Sequence, residues 1–312
     1  MKRLFCILLS LLCLLAACTT GGPAEDSSAG SESLPAEASS APPARRYVAL
    51  GDSIARGYGL DDPETQAYPA LLRDRMQKYS EVEYANYAVD GQTSAGLLEL
   101  LSSGGAPMLD GADVVTVCIG ANNLLGPTIG LLSEQLVELA LDMPSLLRKY
   151  YEAITGGDTS ALEEVRSDLN RLVGALSAAL EEDEFRAELQ AGIQDMSAHL
   201  PQIIDAIRRQ APEADIYVTT VYNPYKGYKI TLGGLQAELP LDAVADNAVR
   251  ALNAVITSQA DALGYTVADS YTAFENSGAD LVNAGANFSV DPHPNRAGHE
   301  LLAETHAEKI RM

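Results

Sequence analysis

Five short runs rich in β-branched residues are the feature that most constrains this chain: Tyr47 to Leu50, Val82 to Ala88, Val114 to Ile119, Ile216 to Val221 and Tyr265 to Ala268. A near-continuous apolar run such as Val114 to Ile119 suits a strand buried on both faces, and helices must supply the cover. Apolar positions recur every three or four residues in Tyr68 to Tyr79, Ala243 to Leu263 and Ala297 to Ile310, as amphipathic helices require. The alternation predicts a three-layer α/β/α domain built on a five-stranded parallel sheet and running from 47 to 312. At 47% hydrophobic and 21% charged, a chain of 312 residues can fill one large core. Between the third and fourth runs, residues 124–212 are rich in Leu, Ala and Glu and are interrupted by Pro144, Gly156-Gly157 and Pro201. A parallel crossover needs only about a dozen residues, so this stretch reads as an enlarged helical insertion, either a lid or a stabilising cap.

The amino end reads as an address rather than as part of the fold. Lys2 and Arg3 precede the apolar stretch Leu4 to Ala17, the layout of a secretory signal, which is too short to span a bilayer. It ends in Leu15-Ala16-Ala17-Cys18, which resembles a bacterial lipobox and implies cleavage after residue 17 and lipidation of Cys18. From 18 to 46 the chain is Gly, Ser, Ala, Pro and Glu, a tether with a root-mean-square span of roughly 30 Å. The expectation is export and anchoring to the membrane, on the extracellular face or in the periplasm.

Composition excludes several functions. A net charge of -22 offers no basic face for nucleic acid, which is bound by neutralising phosphates. Three of the four cysteines (Cys6, Cys13, Cys18) lie in or at the end of the signal, which leaves Cys118 as the single thiol of the domain and rules out an internal disulfide. No CxxC or HExxH spacing supports a metal site, and no cofactor is expected. A monomer is expected.

Ligands of open parallel sheets bind beyond the carboxyl ends of the strands. Polar or glycine-rich turns follow the first three runs there: Gly51-Asp52-Ser53, Asp90-Gly91-Gln92 and Gly120-Ala121-Asn122-Asn123. Of the four histidines, His293 stands apart, between two prolines in Asp291-Pro292-His293-Pro294. A residue before proline is pushed into extended backbone, and residues two apart in an extended chain face the same side. Asp291 is therefore placed to meet the His293 ring. A hydroxyl, a base, an orienting carboxylate and N–H donors are the requirements of nucleophilic ester cleavage.

These blocks, in this order, resemble the SGNH or GDSL-type hydrolase family over the whole domain, with a flavodoxin-like fold. The resemblance implies that Ser53 is the nucleophile and His293 its base. It implies that Ser53 N–H, Gly91 N–H and the Asn122 amide form an oxyanion hole. Two departures stand out: Asn123 takes the place of the family's usual aspartate, and Asp291 lies two residues before the histidine instead of three. The second leaves open whether Asp291, another acid or a backbone carbonyl orients the ring. The activity implied is hydrolysis of carboxylic esters through an acyl-enzyme, on a small ester, a lipid or an acylated glycan. Arg56, Tyr58, Tyr68 and Asn223-Pro224-Tyr225 are candidate cleft residues. A carbohydrate O-acetyl esterase and a tethered, non-catalytic binding protein on the same fold are the rival readings.

Overall fold

A computed structural model of the chain describes residues 44–311, apart from 104–107, 233–234, 239–240 and 285–289. Cys18 and the signal lie outside the described residues. The central sheet contains β1 (Arg45–Gly51), β2 (Val82–Asn86), β3 (Val114–Cys118), β4 (Asp215–Thr219) and β7 (Thr266–Ala268), all parallel, in the order β2-β1-β3-β4-β7. A two-stranded antiparallel hairpin, β5 (Lys229–Leu232) with β6 (Leu235–Glu238), stands apart from it. The sheet starts before the boundary read from composition: Arg45 and Arg46, assigned above to the tether, pair with Val82 and Glu83.

Alternation along β1 assigns its two faces. Val48 and Leu50 pack with Leu97 and Leu101 of α4 (Ser94–Ser102), with Met196, Leu200 and Ile203 of α7 (Asp183–Gln210), and with Leu252 and Ile256 of α8 (Leu241–Leu263). Tyr47 and Ala49 face Leu72 and Met76 of α3 (Tyr68–Met76) on the other side. Each aliphatic side chain so enclosed contributes about 2 kcal/mol. Helix α10 (Arg296–Ala307) joins this second layer, with Leu302 and Ala303 packed beside Ile54 and Tyr68.

The insertion consists of α5 (Ala121–Gly156), α6 (Thr159–Glu181) and α7. Of the three interruptions read from the sequence only Gly156-Gly157 ends a helix: the left-handed Gly157 closes α5, whereas Pro144 lies within α5 and Pro201 within α7, and the second break falls at the extended Glu182 between α6 and α7. A proline inside a helix leaves the carbonyl four residues earlier without its donor. In α7 that carbonyl belongs to Ser197, and the Gln259 amide of α8 approaches it at 3.5 Å, so the helix continues. Leu169, Leu172 and Leu176 of α6 with Phe185 of α7 give the insertion a small apolar core of its own.

Strand order reverses direction between β1 and β3, each of which starts a connection to an opposite edge of the sheet. Parallel sheets leave a crevice at such a switch point, beyond the carboxyl ends of the strands. Residues 51–53 and 120–123 emerge there.

Candidate active site

The short helix α1 (Ser53–Arg56) begins at the end of β1, and Asp52 caps it by accepting the Ile54 N–H at 3.0 Å. With the aspartate doing the capping, the Ser53 hydroxyl is left to make another bond. It meets His293 Nε2 at 2.9 Å, while His293 Nδ1 lies 2.5 Å from Asp291 Oδ1. The same carboxylate oxygen accepts the His293 backbone N–H at 3.1 Å. Pro292 and Pro294 thus deliver what extended backbone on both sides of the ring implies, with acid and imidazole facing one way. Ser53 is 8% exposed and the His293 side chain 19%, so the pair is shielded but reachable.

The segment that carries the histidine is held from both sides. Val282 and Pro294 form an antiparallel bridge, Asn283 N–H donates to the His293 carbonyl at 2.9 Å, and Asn295 N–H donates to the Leu281 carbonyl at 2.9 Å. Asn295 also caps α10 through Gly298 N–H. Tyr222 Oη donates to the Pro292 carbonyl at 2.8 Å, and Tyr225 Oη to the Val290 carbonyl at 3.1 Å. Burial alone would raise the Asp291 carboxyl. Hydrogen bonds from the His293 ring and backbone, the charge of that ring and the Asn283 amide outweigh it and hold the group below the usual carboxylate range.

The remaining histidines are differently engaged. His299 and His306 are fully buried, and burial pushes each down to about 4, so both are neutral. His299 Nδ1 accepts the Tyr68 N–H at 3.2 Å, and His306 Nε2 meets Thr219 Oγ1 at 3.0 Å. His199 Nδ1 meets the hydroxyl of Ser94 at 3.0 Å, but that serine is fully buried.

The proposed oxyanion donors sit on turns tied to the residues just before Ser53: Val89 N–H donates to the Gly51 carbonyl at 3.0 Å, and Asn122 reaches Asp52. Gly91 adopts a positive φ of 72°. Among the described residues no acceptor faces its N–H or that of Ser53. The Asn122 amide, in the first turn of α5, donates to the Gln92 carbonyl at 3.1 Å and more distantly to Asp52 Oδ2 at 3.4 Å. The longer contact is the weaker one, so that N–H can turn to donate a hydrogen bond to a ligand instead. Asp52 is fully buried, and burial pushes its carboxyl up to about 7 against the lowering effect of the Ile54 N–H and of His293. No group of three or more His, Cys, Asp or Glu side chains that could hold a metal ion occurs among the described residues.

Of the other cleft candidates, Tyr68 does not belong. It is fully buried, stacked on His306 with ring centroids 4.9 Å apart, because α3 turns it into the second layer. Tyr58 does line the site, its ring 4.6 Å from that of His293. Arg56 forms an ion pair with Asp90, which ties α1 to the Gly91 turn. Asn223 is buried and bonded to Asp242.

A match to the family described as GDSL-like lipase/acylhydrolase covers residues 49–301. The chain belongs to that family. This GDSL-family chain is 30% identical over 154 residues to YpmR, an uncharacterized protein of Bacillus subtilis (strain 168). That match covers 48% of this chain and 56% of YpmR, so the chain spans a little over half the length of the curated relative it matches. Its fold is similar to that of an extracellular lipase from Streptomyces rimosus, with a TM-score of 0.55 and 23% identity over 84% of this chain and 99% of the other. Phospholipase A1 from Streptomyces albidoflavus NA297 superposes with a TM-score of 0.51 at 20% identity, over 86% and 99% of the two chains. At these identities the likeness is one of fold, and it includes the five-stranded parallel sheet of the GDSL-family chain.

Proposed function

We propose that this GDSL-family protein is a serine esterase that cleaves carboxylic esters through an acyl-enzyme on Ser53. The observation that carries the reading is the continuous line from the Ser53 hydroxyl through the His293 ring to Asp291, at 2.9 and 2.5 Å. In the proposed reaction His293 Nε2 takes the Ser53 proton as Oγ bonds to the ester carbonyl carbon. Asp291, held ionised, stabilises the imidazolium that results. The carbonyl oxygen becomes an oxyanion that receives Ser53 N–H, Gly91 N–H and an Asn122 N–H turned from Asp52. Collapse breaks the bond to the leaving alcohol, which takes the proton from His293. Water, deprotonated by the same ring, then releases the acid and restores the serine.

An apolar acyl group suits the border of the site. Tyr58, Val89 and Val290, at 44%, 48% and 36% exposure, belong to the few large apolar side chains left open among the described residues. Each sits on a segment that supplies a proposed catalytic group: Tyr58 against His293, Val89 two residues before Gly91, Val290 beside Asp291. Aliphatic esters fit this border better than a glycan acetate. Export and anchoring through Cys18 complete the proposal, on the strength of the signal-like leader and its terminal cysteine.

A panel of p-nitrophenyl esters graded from acetate to decanoate, beside an acetylated sugar, tests both parts. Activity should rise beyond acetate, and Ser53→Ala should remove it while leaving the circular dichroism unchanged. An alanine variant as active as the parent would sink the nucleophile.

A further inference from the structure

The geometry points to His199, on the last helix of the insertion, as a positioning residue that orients the oxyanion donors through Ser94 and Asn123. The inference rests on the esterase reading above and concerns a histidine that plays no part in the chemistry there.

Two consecutive asparagines in the first turn of α5 are each bonded to the turn that carries Gly91. Asn122 Nδ2 donates to the Gln92 carbonyl at 3.1 Å, and Asn123 Oδ1 accepts the Ser94 backbone N–H at 2.9 Å. The second bond settles the orientation of the Asn123 amide, because a backbone N–H can only donate. Asn123 Nδ2 is then the atom that donates to Ser94 Oγ at 2.8 Å and toward the Gly192 carbonyl of α7 at 3.4 Å. Ser94 Oγ, already an acceptor, must place its own hydrogen elsewhere. The residue is fully buried, so water is not at hand. His199 Nδ1, at 3.0 Å, is the acceptor. A buried hydroxyl deprived of an acceptor is costly, so His199 fixes the direction of the Ser94 hydroxyl and leaves its lone pairs to Asn123 Nδ2.

Helix α7 is also pressed onto this turn. Gly192, seven residues and about two helical turns before His199, lies so near that a Cβ there would sit 1.9 Å from the Asn123 carbonyl oxygen. Between them, the Met196 sulfur lies 3.6 Å from where a Cβ on Gly120 would project. One face of α7 therefore grips residues 120–123, and His199 is its polar contact with Ser94. An aspartate at 123 would itself take the Ser94 hydrogen, leaving a neutral acceptor at 199 with no role. The asparagine that departs from the family pattern and the histidine of the insertion thus form one unit.

The test is steady-state hydrolysis of p-nitrophenyl butyrate by the full chain carrying His199→Leu, His199→Asn, Ser94→Ala or the Ser94→Ala/His199→Leu pair, with circular dichroism and Tm for each. Asparagine Oδ1 occupies nearly the place of imidazole Nδ1. His199→Leu should lower kcat about tenfold with KM shifted less than about twofold, and His199→Asn should restore kcat to within about twofold. With Ser94→Ala in place, His199→Leu should cost nothing more. Unchanged kcat in the leucine variant, equal losses in the leucine and asparagine variants, or losses that multiply in the pair would each overturn the role of His199. If the leucine variant does not fold, undiminished kcat in Ser94→Ala overturns it, and a loss there with full activity in His199→Asn upholds it. A parent protein inert on the whole ester panel would instead overturn the esterase reading, which separates the two failures.

Discussion

Asp52→Asn should stabilise the protein at alkaline pH and much less at acid pH. The carboxyl is fully buried and burial pushes it up to about 7, whereas an exposed aspartate titrates near 4. Between those values the folded chain holds a proton that the unfolded chain has lost, so stability falls as pH rises and the loss is complete above about 7. From pH 5 to pH 8 the difference integrates to roughly 2 pK units, or about 2 to 3 kcal/mol as a ceiling. Asparagine keeps an oxygen for the Ile54 N–H but turns an amide toward Asn122, a cost that is the same at both pH values. Urea unfolding of parent and variant, followed by far-ultraviolet circular dichroism at pH 5 and pH 8, isolates the titration by subtraction. The variant's advantage should be larger at pH 8 by about 2 to 3 kcal/mol. A difference between the two proteins that is flat with pH, or that favours the parent at pH 8, would refute the reasoning.

Three further outcomes are expected. Asn122→Ala should lower kcat on p-nitrophenyl butyrate by about a hundredfold with little change in Tm, since an oxyanion donor acts mainly in the transition state. Gly192→Ala should lower stability by about 2 kcal/mol or more in a urea titration, because the added methyl meets a backbone oxygen that cannot move without displacing α5. Cys118, buried and with its thiol pushed up first by burial and then by the Asp52 charge, should be silent to a disulfide reagent until denaturant is added.

What the sequence made legible was whatever depended on neighbours in the chain. Val114 to Cys118 is buried at every position, and a strand covered on both faces announces itself as an unbroken apolar run. Asp291 and His293 were legible for the same reason, since two prolines constrain two adjacent backbones whatever else surrounds them. Pro201 misled because the donor that compensates it, Gln259, comes from another helix. The β5 and β6 hairpin did leave a local signal, since Lys229 to Leu232 and Leu235 to Glu238 each alternate polar with apolar residues on either side of Gly233-Gly234, but strands of four residues are shorter than most of the runs that mark the central sheet. The Arg56–Asp90 pair and the Ser94–His199 contact join residues 34 and 105 positions apart, and no local pattern signals such meetings.

The proposed nucleophile and the proposed base lie 240 residues apart, at opposite ends of the domain. A chain that emerges amino end first presents its serine hydroxyl almost at once, yet that hydroxyl stays a feeble alcohol until the very last stretch seats against residues 281–283. On the proposed esterase reading, unfinished or clipped copies are consequently harmless to any ester they meet, and turnover reports that both segments have been joined.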